Sequence, residues 1–246
     1  MICAKSPQII LLVPAIGMLL LPLLETQKMP KDHTLSRVQN HFLVGLHARN
    51  KASEGMDNQT FLYFAYGSNL LKERLQLKNP SATVHCVARL KDYKLVFGNY
   101  KGLASDRWHG GVATIEHSPG DEVWGVVWRM NMSDLESLDR QENVRLGAYS
   151  PMEVSVWTRG QELSCRTYIM NSCVYALPSP QYLKVIVMGA EQNGLPEDYK
   201  EKLKAIETNK YEGPLPMMLE VERALNKTME KESKEFNAYH QDTPCL

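Results

Sequence analysis

Hydrophobic and polar positions beyond residue 58 follow the short runs expected of β strands. The run FLYFAY, 61–66, predicts a buried strand, and TVHCVARLKDYKLVFG, 83–98, predicts a long or bent one. Two further strands are predicted over 110–118 and 123–130, separated by a turn at PGDE. The segments MEVSVWT and ELSCRTYIM, joined by RGQ within 152–170, predict a β-hairpin.

Helical spacing appears between and after these strands. The leucines of NLLKERLQLKN, 69–79, predict a short amphipathic helix. A helix over 134–144 is predicted to begin at a capping box made by Ser133 and Glu136. The stretch SPQYLKVIVMGAEQNGLP, 179–196, has the serine cap, early proline and late glycine of a further helix, which another follows. Together these elements predict an α+β fold, a mixed sheet curled into a barrel with helices packed outside it.

The pattern divides the chain into three parts. Residues 1–57 form an N-terminal extension outside the fold, 58–213 form the folded domain, and 214–246 form a C-terminal helix and tail. The extension contains an uninterrupted apolar run, 9–24, which is shorter than the ~20 residues that span a bilayer. That run is either a signal or anchor segment or an addition dispensable for the fold, and no convincing cleavage site follows it.

Composition narrows the possible partners and cofactors. The 28 basic and 28 acidic residues cancel, which argues against a nucleic-acid partner. The five cysteines and seven histidines are scattered without the spacing of a zinc or redox motif. We therefore expect reduced thiols and no metal site.

The stretch YFAYGSNL, 63–70, changes abruptly from aromatic residues to Gly67, Ser68 and Asn69. A strand that feeds a helix in this way can present backbone N–H groups to a carboxylate or phosphate. The alternative is an ordinary strand-to-helix turn with Ser68 or Asn69 as the N-cap. Spacing alone favours the ordinary turn.

The helix predicted over 134–144 carries several carboxylates, of which most are explained by a solvated face with salt bridges. Glu142 differs because it lies near the helix end, just before the next predicted strand. If its side chain turns inward, desolvation would raise its pKa towards the range of a general base.

Aromatic and histidine candidates have simpler explanations. The tyrosines are interpreted as core rings with satisfied hydroxyls, and the lone histidine as a loop residue. These residues are Tyr63, Tyr66, Tyr149, Tyr182 and His109.

Several motifs, in order along 61–211, resemble the γ-glutamylcyclotransferase family. They are FLYFAYGSNLLKERLQLKNPSA, CVARLKDYKLVFGN, WHGGVATIEHSPGDEVWGVVWRMN, LDRQENV and MGAEQNGLPEDYKEKLKAIE. The resemblance implies a small mixed β-barrel with surrounding helices, and it makes 58–213 a catalytic domain. It also implies a cytoplasmic homodimer without a cofactor, unless the run 9–24 directs the chain to a membrane or the secretory route.

The resemblance further implies a reaction and its site. A γ-glutamyl amino acid would cyclise within glutathione metabolism, releasing 5-oxoproline and a free amino acid in a lyase-type step. The family's catalytic glutamate falls on Glu142. Its substrate-binding positions fall on Tyr63, Phe64, Ala65, Tyr66, Gly67, Ser68 and Tyr182.

These residues are suited to that chemistry on physical grounds. The substrate's own α-amine attacks its γ-carbonyl, so the protein must mainly hold the chain folded and move protons. One carboxylate, Glu142, could take the proton from the ammonium and return it to the leaving amine. Backbone N–H groups at 67–69 could hold the α-carboxylate or the developing oxyanion.

Two departures from the family pattern leave alternatives open. The sequence around Glu142 reads DRQEN where DEQEG is expected, so Arg140 brings a positive charge and Asn143 replaces a glycine. A nearby cation would lower the pKa of the base and weaken it. The alternatives are a related cyclotransferase acting on glutathione or γ-glutamyl-lysine, and a non-catalytic protein that binds γ-glutamyl ligands or other proteins.

Overall fold

A computed structural model describes the backbone of residues 59–241 and the side chains of residues 59–236. The predicted extension 1–57, with its apolar run 9–24, lies outside the described residues.

Six strands form one mixed sheet: β1 Thr60–Ala65, β2 Thr83–Tyr100, β3 Val112–Asn131, β4 Tyr149–Thr158, β5 Gln161–Met170 and β6 Cys173–Tyr175. The order β3-β1-β5-β4-β2 returns to β3, so that five strands close into a ring, and β6 lies beside β2. The β1–β5 pair is parallel and the other pairs are antiparallel. The closed mixed sheet confirms the predicted α+β barrel.

The long β2–β3 ladder corrects one prediction. Its register shifts between Lys91 and Tyr93, where residues 118–121 loop out of the opposite strand. The Asp92 carboxylate accepts a hydrogen bond from the Gly120 N–H at 2.9 Å and holds this excursion in place. Because pairing resumes on both sides, the two strands predicted around PGDE are one strand with a bulge.

The helices are α1 Lys72–Gln76, α2 Leu135–Gln141, α3 Pro180–Gln192, α4 Glu197–Lys204 and α5 Pro216–Gln241. Short 3₁₀ turns precede α1 and α2 and follow α2, at Ser68–Leu70, Met132–Asp134 and Val144–Leu146. Ser179 caps α3 as predicted, since its hydroxyl accepts from the Tyr182 N–H at 3.2 Å. The predicted β4–β5 hairpin is also confirmed, and Arg159 and Gly160 at its turn both have positive φ.

The start of α2 differs from the prediction. The helix begins without a side-chain cap, so the capping box expected from Ser133 and Glu136 is wrong. The Asp134 carboxylate instead accepts hydrogen bonds from the Ser81 N–H at 3.0 Å and hydroxyl at 2.6 Å. This tertiary contact ties α2 to the loop after α1.

The hydrophobic core extends from the strands to the helices. The start of α5 also belongs to this core. Leu215 lies just before the helix, and Met218 and Val221 lie in its first two turns, so the chain beyond 213 packs against the barrel. Among the described residues, we find no helix that is both long and apolar enough to cross a bilayer.

Candidate active site

Glu142 ends helix α2, and its N–H donates to the Leu138 carbonyl at 3.0 Å. Its carboxylate faces a cavity and accepts a hydrogen bond from Asn69 Nδ2 at 3.1 Å. The dense protein surroundings desolvate this group and raise the pKa of Glu142, although the charge of Arg74 and the Asn69 hydrogen bond oppose the shift. The helix end therefore presents a carboxylate that holds its proton more readily than an ordinary glutamate does.

A chain of three amides orients this carboxylate. Asn79 Nδ2 donates to Gln141 Oε1 at 3.1 Å, and Gln141 Nε2 donates to Asn69 Oδ1 at 2.9 Å. Asn69 Nδ2 then donates to both Glu142 and the Tyr63 hydroxyl, at 3.1 and 3.0 Å. Because Gln141 and Asn69 each donate and accept, the chain fixes the Asn69 side chain with its N–H groups toward Glu142.

Two adjoining chambers share Glu142 as a lining residue. The outer chamber has a volume of about 390 Å³ and opens between the loop 105–108 and the end of α2. The inner chamber is smaller, about 40 Å³, and lies between the loop after β1 and a group of tyrosines. The residues common to both chambers are Ser68, Glu142, Tyr149 and Tyr182.

Five tyrosines surround the inner chamber: Tyr63, Tyr66, Tyr149, Tyr168 and Tyr182. Burial raises the pKa of Tyr182 to about 12, and it raises the pKa of each of the other four above the usual value of a phenol. The negative charge of Glu142 adds to this shift for Tyr63 and Tyr66. All five therefore remain neutral hydroxyls at neutral pH. Those of Tyr66, Tyr149 and Tyr168 donate to protein acceptors, whereas those of Tyr63 and Tyr182 accept from protein N–H groups.

The backbone of Ala113 fixes two of these rings. Its N–H donates to the Tyr182 hydroxyl at 3.0 Å, and its carbonyl accepts from the Tyr149 hydroxyl at 2.8 Å. Trp108 packs on Tyr182 with ring centroids 4.8 Å apart. These contacts place both hydroxyls at the junction of the chambers.

The loop after β1 runs past the inner chamber through Gly67 and Ser68. In the described part of the chain no side chain caps its 3₁₀ turn, so the interpretation with Ser68 or Asn69 as N-cap is wrong. Gly67 has φ −112°, which any residue can adopt. A Cβ there would lie 3.0 Å from Ala113 Cβ and 3.4 Å from the Tyr182 hydroxyl, so close packing accounts for the glycine.

Helix α3 supports this loop from behind. A Cβ on Gly189 would lie 2.4 Å from the Leu71 nitrogen, so the glycine permits direct contact between helix and loop. Asn193 Nδ2 donates to the Leu70 carbonyl at 2.8 Å. The loop position thus depends on residues more than a hundred positions away.

The structure brings most of the predicted site residues together. Tyr63, Tyr66, Gly67, Ser68 and Tyr182 all line the inner chamber with Glu142. The two remaining predicted positions, Phe64 and Ala65, are buried in the core and line neither chamber. His109, interpreted as a loop residue, stacks on the Tyr211 ring at 4.6 Å.

Sequence reasoning missed Arg74 as a site residue, although the pattern contained a signal. Arg74 lies in α1 next to Leu75 and three residues after Leu71, on the side that both leucines bury. It is only 3% exposed and lines the outer chamber. A charged residue on the apolar side of an amphipathic helix is an unusual placement and could have been singled out.

The two departures from the family pattern have structural explanations. The Arg140 side chain is 63% exposed and lies 3.7 Å from Glu136, turned away from the chambers. It is not among the groups that shift the pKa of Glu142. Asn143 adopts the left-handed conformation, with φ 52°, which asparagine tolerates better than most residues.

The chain is similar in sequence and in structure to several known proteins. Residues 122–203 match the AIG2-like family. A mouse protein named gamma-glutamylcyclotransferase is 62% identical over 162 residues, covering 65% of this chain and 86% of its own length. Its human counterpart, with the same name, is 60% identical over 167 residues, covering 68% of this chain and 89% of its own. A solved structure titled gamma-glutamyl cyclotransferase has a TM-score of 0.66 and 58% identity, covering 69% of this chain and 99% of its own.

Proposed function

This chain belongs to the γ-glutamylcyclotransferase family, and we propose that it is an enzyme that cyclises γ-glutamyl amino acids to 5-oxoproline and a free amino acid. The observation that carries the proposal is Glu142, a carboxylate of raised pKa at the junction of two chambers. A group at this position can touch the reacting atoms of a substrate that extends through both chambers.

Glu142 acts as both base and acid in this reaction. It takes a proton from the substrate ammonium, and the freed α-amine attacks the γ-carbonyl to form the five-membered lactam. As the bond from that carbonyl to the leaving nitrogen breaks, Glu142 passes its proton to the leaving amine. The ring nitrogen then gives up its second proton through Glu142, so that the lactam keeps one N–H and the amine leaves as an ammonium group. Burial favours the protonated form of Glu142, so the carboxyl can hold the proton between these two steps.

The inner chamber binds the γ-glutamyl end. Tyr63, Tyr66 and Tyr182 line it, together with the backbone at Gly67 and Ser68. Of the three hydroxyls, those of Tyr63 and Tyr182 donate to no acceptor among the described residues. Donors held in place by packing can stabilise an α-carboxylate and an oxyanion without reorganising. The leaving amino acid accordingly lies in the outer chamber.

An assay of 5-oxoproline release tests the proposal. We expect turnover of γ-glutamyl-alanine, with γ-glutamyl-lysine isopeptide and glutathione as parallel substrates. Glu142→Gln should abolish turnover, whereas Glu136→Gln, an exposed position in the same helix, should not. Absence of 5-oxoproline with all three substrates, or full turnover by Glu142→Gln, would refute the proposal.

We also propose that the protein works in glutathione metabolism as a cytoplasmic homodimer, because the family resemblance implies it. Sedimentation equilibrium of the full chain tests the dimer, and a monomer mass at micromolar concentration would contradict it. Fractionation of cells expressing the chain with and without residues 1–55 tests the location. Pelleting of only the longer form with membranes would show that the apolar run 9–24 acts as an anchor.

A further inference from the structure

Arg74 is a buried cation that no described side chain contacts by a hydrogen bond or ion pair, although the negative charge of Glu142 stabilises it from beyond ion-pair distance. Its Nε has no hydrogen-bond acceptor, and no hydrogen bond or ion pair joins its guanidinium to another described side chain. Burying a guanidinium without acceptors in contact is unfavourable, and a bound anion that accepts its hydrogen bonds would offset that cost. The side chain faces a cavity rather than packed protein, so such an anion has room to bind.

The charges around Arg74 limit which anion can bind. The charged residues lining the outer chamber are Arg74, Arg107, Asp106 and Glu142. Arg107 and Asp106 lie on the exposed rim, and Arg74 lies at depth. Arg74 is absent from the lining of the inner chamber, where the γ-glutamyl end binds in the proposed reaction. The deep cation therefore faces the half of the site that receives the leaving group.

An amino acid leaving group carries a carboxylate on the carbon next to its reacting nitrogen. A guanidinium matches a carboxylate through two parallel hydrogen bonds. We propose that Arg74 binds the α-carboxylate of the leaving amino acid, which makes the outer chamber a carboxylate subsite and Arg74 a determinant of substrate specificity. This inference rests on the proposed function, because it needs the leaving group in the outer chamber.

The subsite separates γ-glutamyl compounds by the position of their second carboxylate. γ-Glutamyl amines have no such group. In the isopeptide to the lysine side chain, the carboxylate is attached to the fifth carbon from the leaving nitrogen. In glutathione, the corresponding carboxyl forms an amide and carries no charge. We expect γ-glutamyl-α-amino acids to react faster than all three.

The test compares two substrates that differ only in the carboxylate, γ-glutamyl-alanine and γ-glutamylethylamide. For each protein the ratio of kcat/KM between them is measured. In Arg74→Gln this ratio should fall by about tenfold to a hundredfold, the range expected for losing hydrogen bonds to a charged group. Any effect of Arg74 on the pKa of Glu142 is common to both substrates and cancels in the ratio.

Two further variants keep the test decisive. Arg74→Lys retains the charge without the planar guanidinium, so its kcat/KM ratio should fall by about threefold to tenfold. It replaces Arg74→Gln in the test if the Gln variant does not fold. Arg89→Gln, which removes an exposed arginine paired with Glu122 outside both chambers, should leave the ratio unchanged. An unchanged ratio in Arg74→Gln, whether both substrates lose activity equally or neither does, would overturn the inference.

Failure of the proposed function would look different. In that case the parent protein would release no 5-oxoproline from either substrate. Calorimetry would then compare binding of the same two compounds to the parent and to Arg74→Gln. Tighter binding of γ-glutamyl-alanine that disappears in the variant would uphold the carboxylate subsite, and equal binding would overturn it.

Discussion

Two carboxylates three residues apart on α2, Asp139 and Glu142, have opposite surroundings. Asp139 Oδ1 accepts hydrogen bonds from Arg166 Nη2 at 2.7 Å and from the Tyr168 hydroxyl at 2.5 Å. Glu142 accepts from neutral amides and has no ion pair within the described residues. Two carboxylates on one helix thus have different roles: Asp139 fastens the helix to a neighbouring strand, and Glu142 faces the cavity.

The difference between them shows what makes a carboxylate reactive. A cation in contact holds the side chain in place, which suits Asp139 to fastening α2 to β5. Desolvation raises the pKa of Glu142, against the charge of Arg74 and the hydrogen bonds from Asn69 and Gln141, and leaves it able to exchange a proton. The surroundings, rather than the number of acidic residues, separate structural from catalytic carboxylates in this helix.

The largest expected effect distinguishes the two by activity. Glu142→Gln keeps size and hydrogen-bonding shape but cannot take a proton, so kcat should fall by about a thousandfold. Asp139→Asn, assayed below its unfolding temperature, should retain activity within about tenfold. The measurement is 5-oxoproline release at saturating γ-glutamyl-alanine. Similar losses in both variants would mean that the two carboxylates share one role.

Stability should show the reverse order. Asp139→Asn breaks an ion pair whose two side chains are 22% and 29% exposed, so the loss lies between those of buried and surface pairs. We expect a decrease of about 1–3 kcal/mol in the free energy of unfolding, measured by urea titration. Glu136→Gln serves as the control, because its side chain is 64% exposed. A decrease no larger than that of the control would show that the Asp139 contact contributes little.

The pH profile of kcat/KM should reveal the environment of Glu142. Its free carboxylate is the base, so activity should fall as pH decreases, with a midpoint above 4.5, the ordinary value for glutamate. Arg74 opposes this shift, so Arg74→Gln should move the midpoint further upward. A midpoint at or below 4.5 in the parent would contradict a desolvated base.

The raised pKa of Glu142 also has a consequence for stability. The folded protein holds this proton more tightly than the unfolded chain, so its contribution to stability is lost as pH rises from the unfolded pKa through the folded pKa. The Glu142→Gln variant has no carboxyl to titrate at this position, so it does not lose this stability as pH rises. Its thermal midpoint relative to the parent should therefore increase between about pH 4 and about pH 7, as followed by calorimetry. A constant difference would contradict the desolvation of Glu142.

The smallest effect is expected at Arg140, the cation adjacent to Asp139 and exposed to solvent. Arg140→Glu introduces the residue expected at this position in the family, yet kcat/KM should change less than about twofold, since exposed charges interact weakly across water. Steady-state kinetics at physiological salt measure this. A larger increase in kcat/KM would show that Arg140 lowers the pKa of Glu142.

Individual elements show how far the sequence could be interpreted. The Ser179 cap and the β4–β5 hairpin were predictable, because a cap or a tight turn depends on neighbours within a few residues. The capping box at Ser133 was not, because Ser81 competes for the adjacent Asp134 from fifty positions away. The division of β3 at PGDE failed for the same reason, since the pairing of β2 on both sides overrides a local turn signal.

By itself, the sequence determined most of the strand and helix segments, the family, and Glu142 as the candidate base. These follow from local periodicity and from motifs that are contiguous in the chain. Only the tertiary structure decided that Arg74 lines the outer chamber with no acceptor for its Nε, and that Phe64 and Ala65 lie in the core. It also decided that Arg140 points to solvent. Burial and electrostatic partners depend on which distant segments meet, and a local pattern cannot specify that.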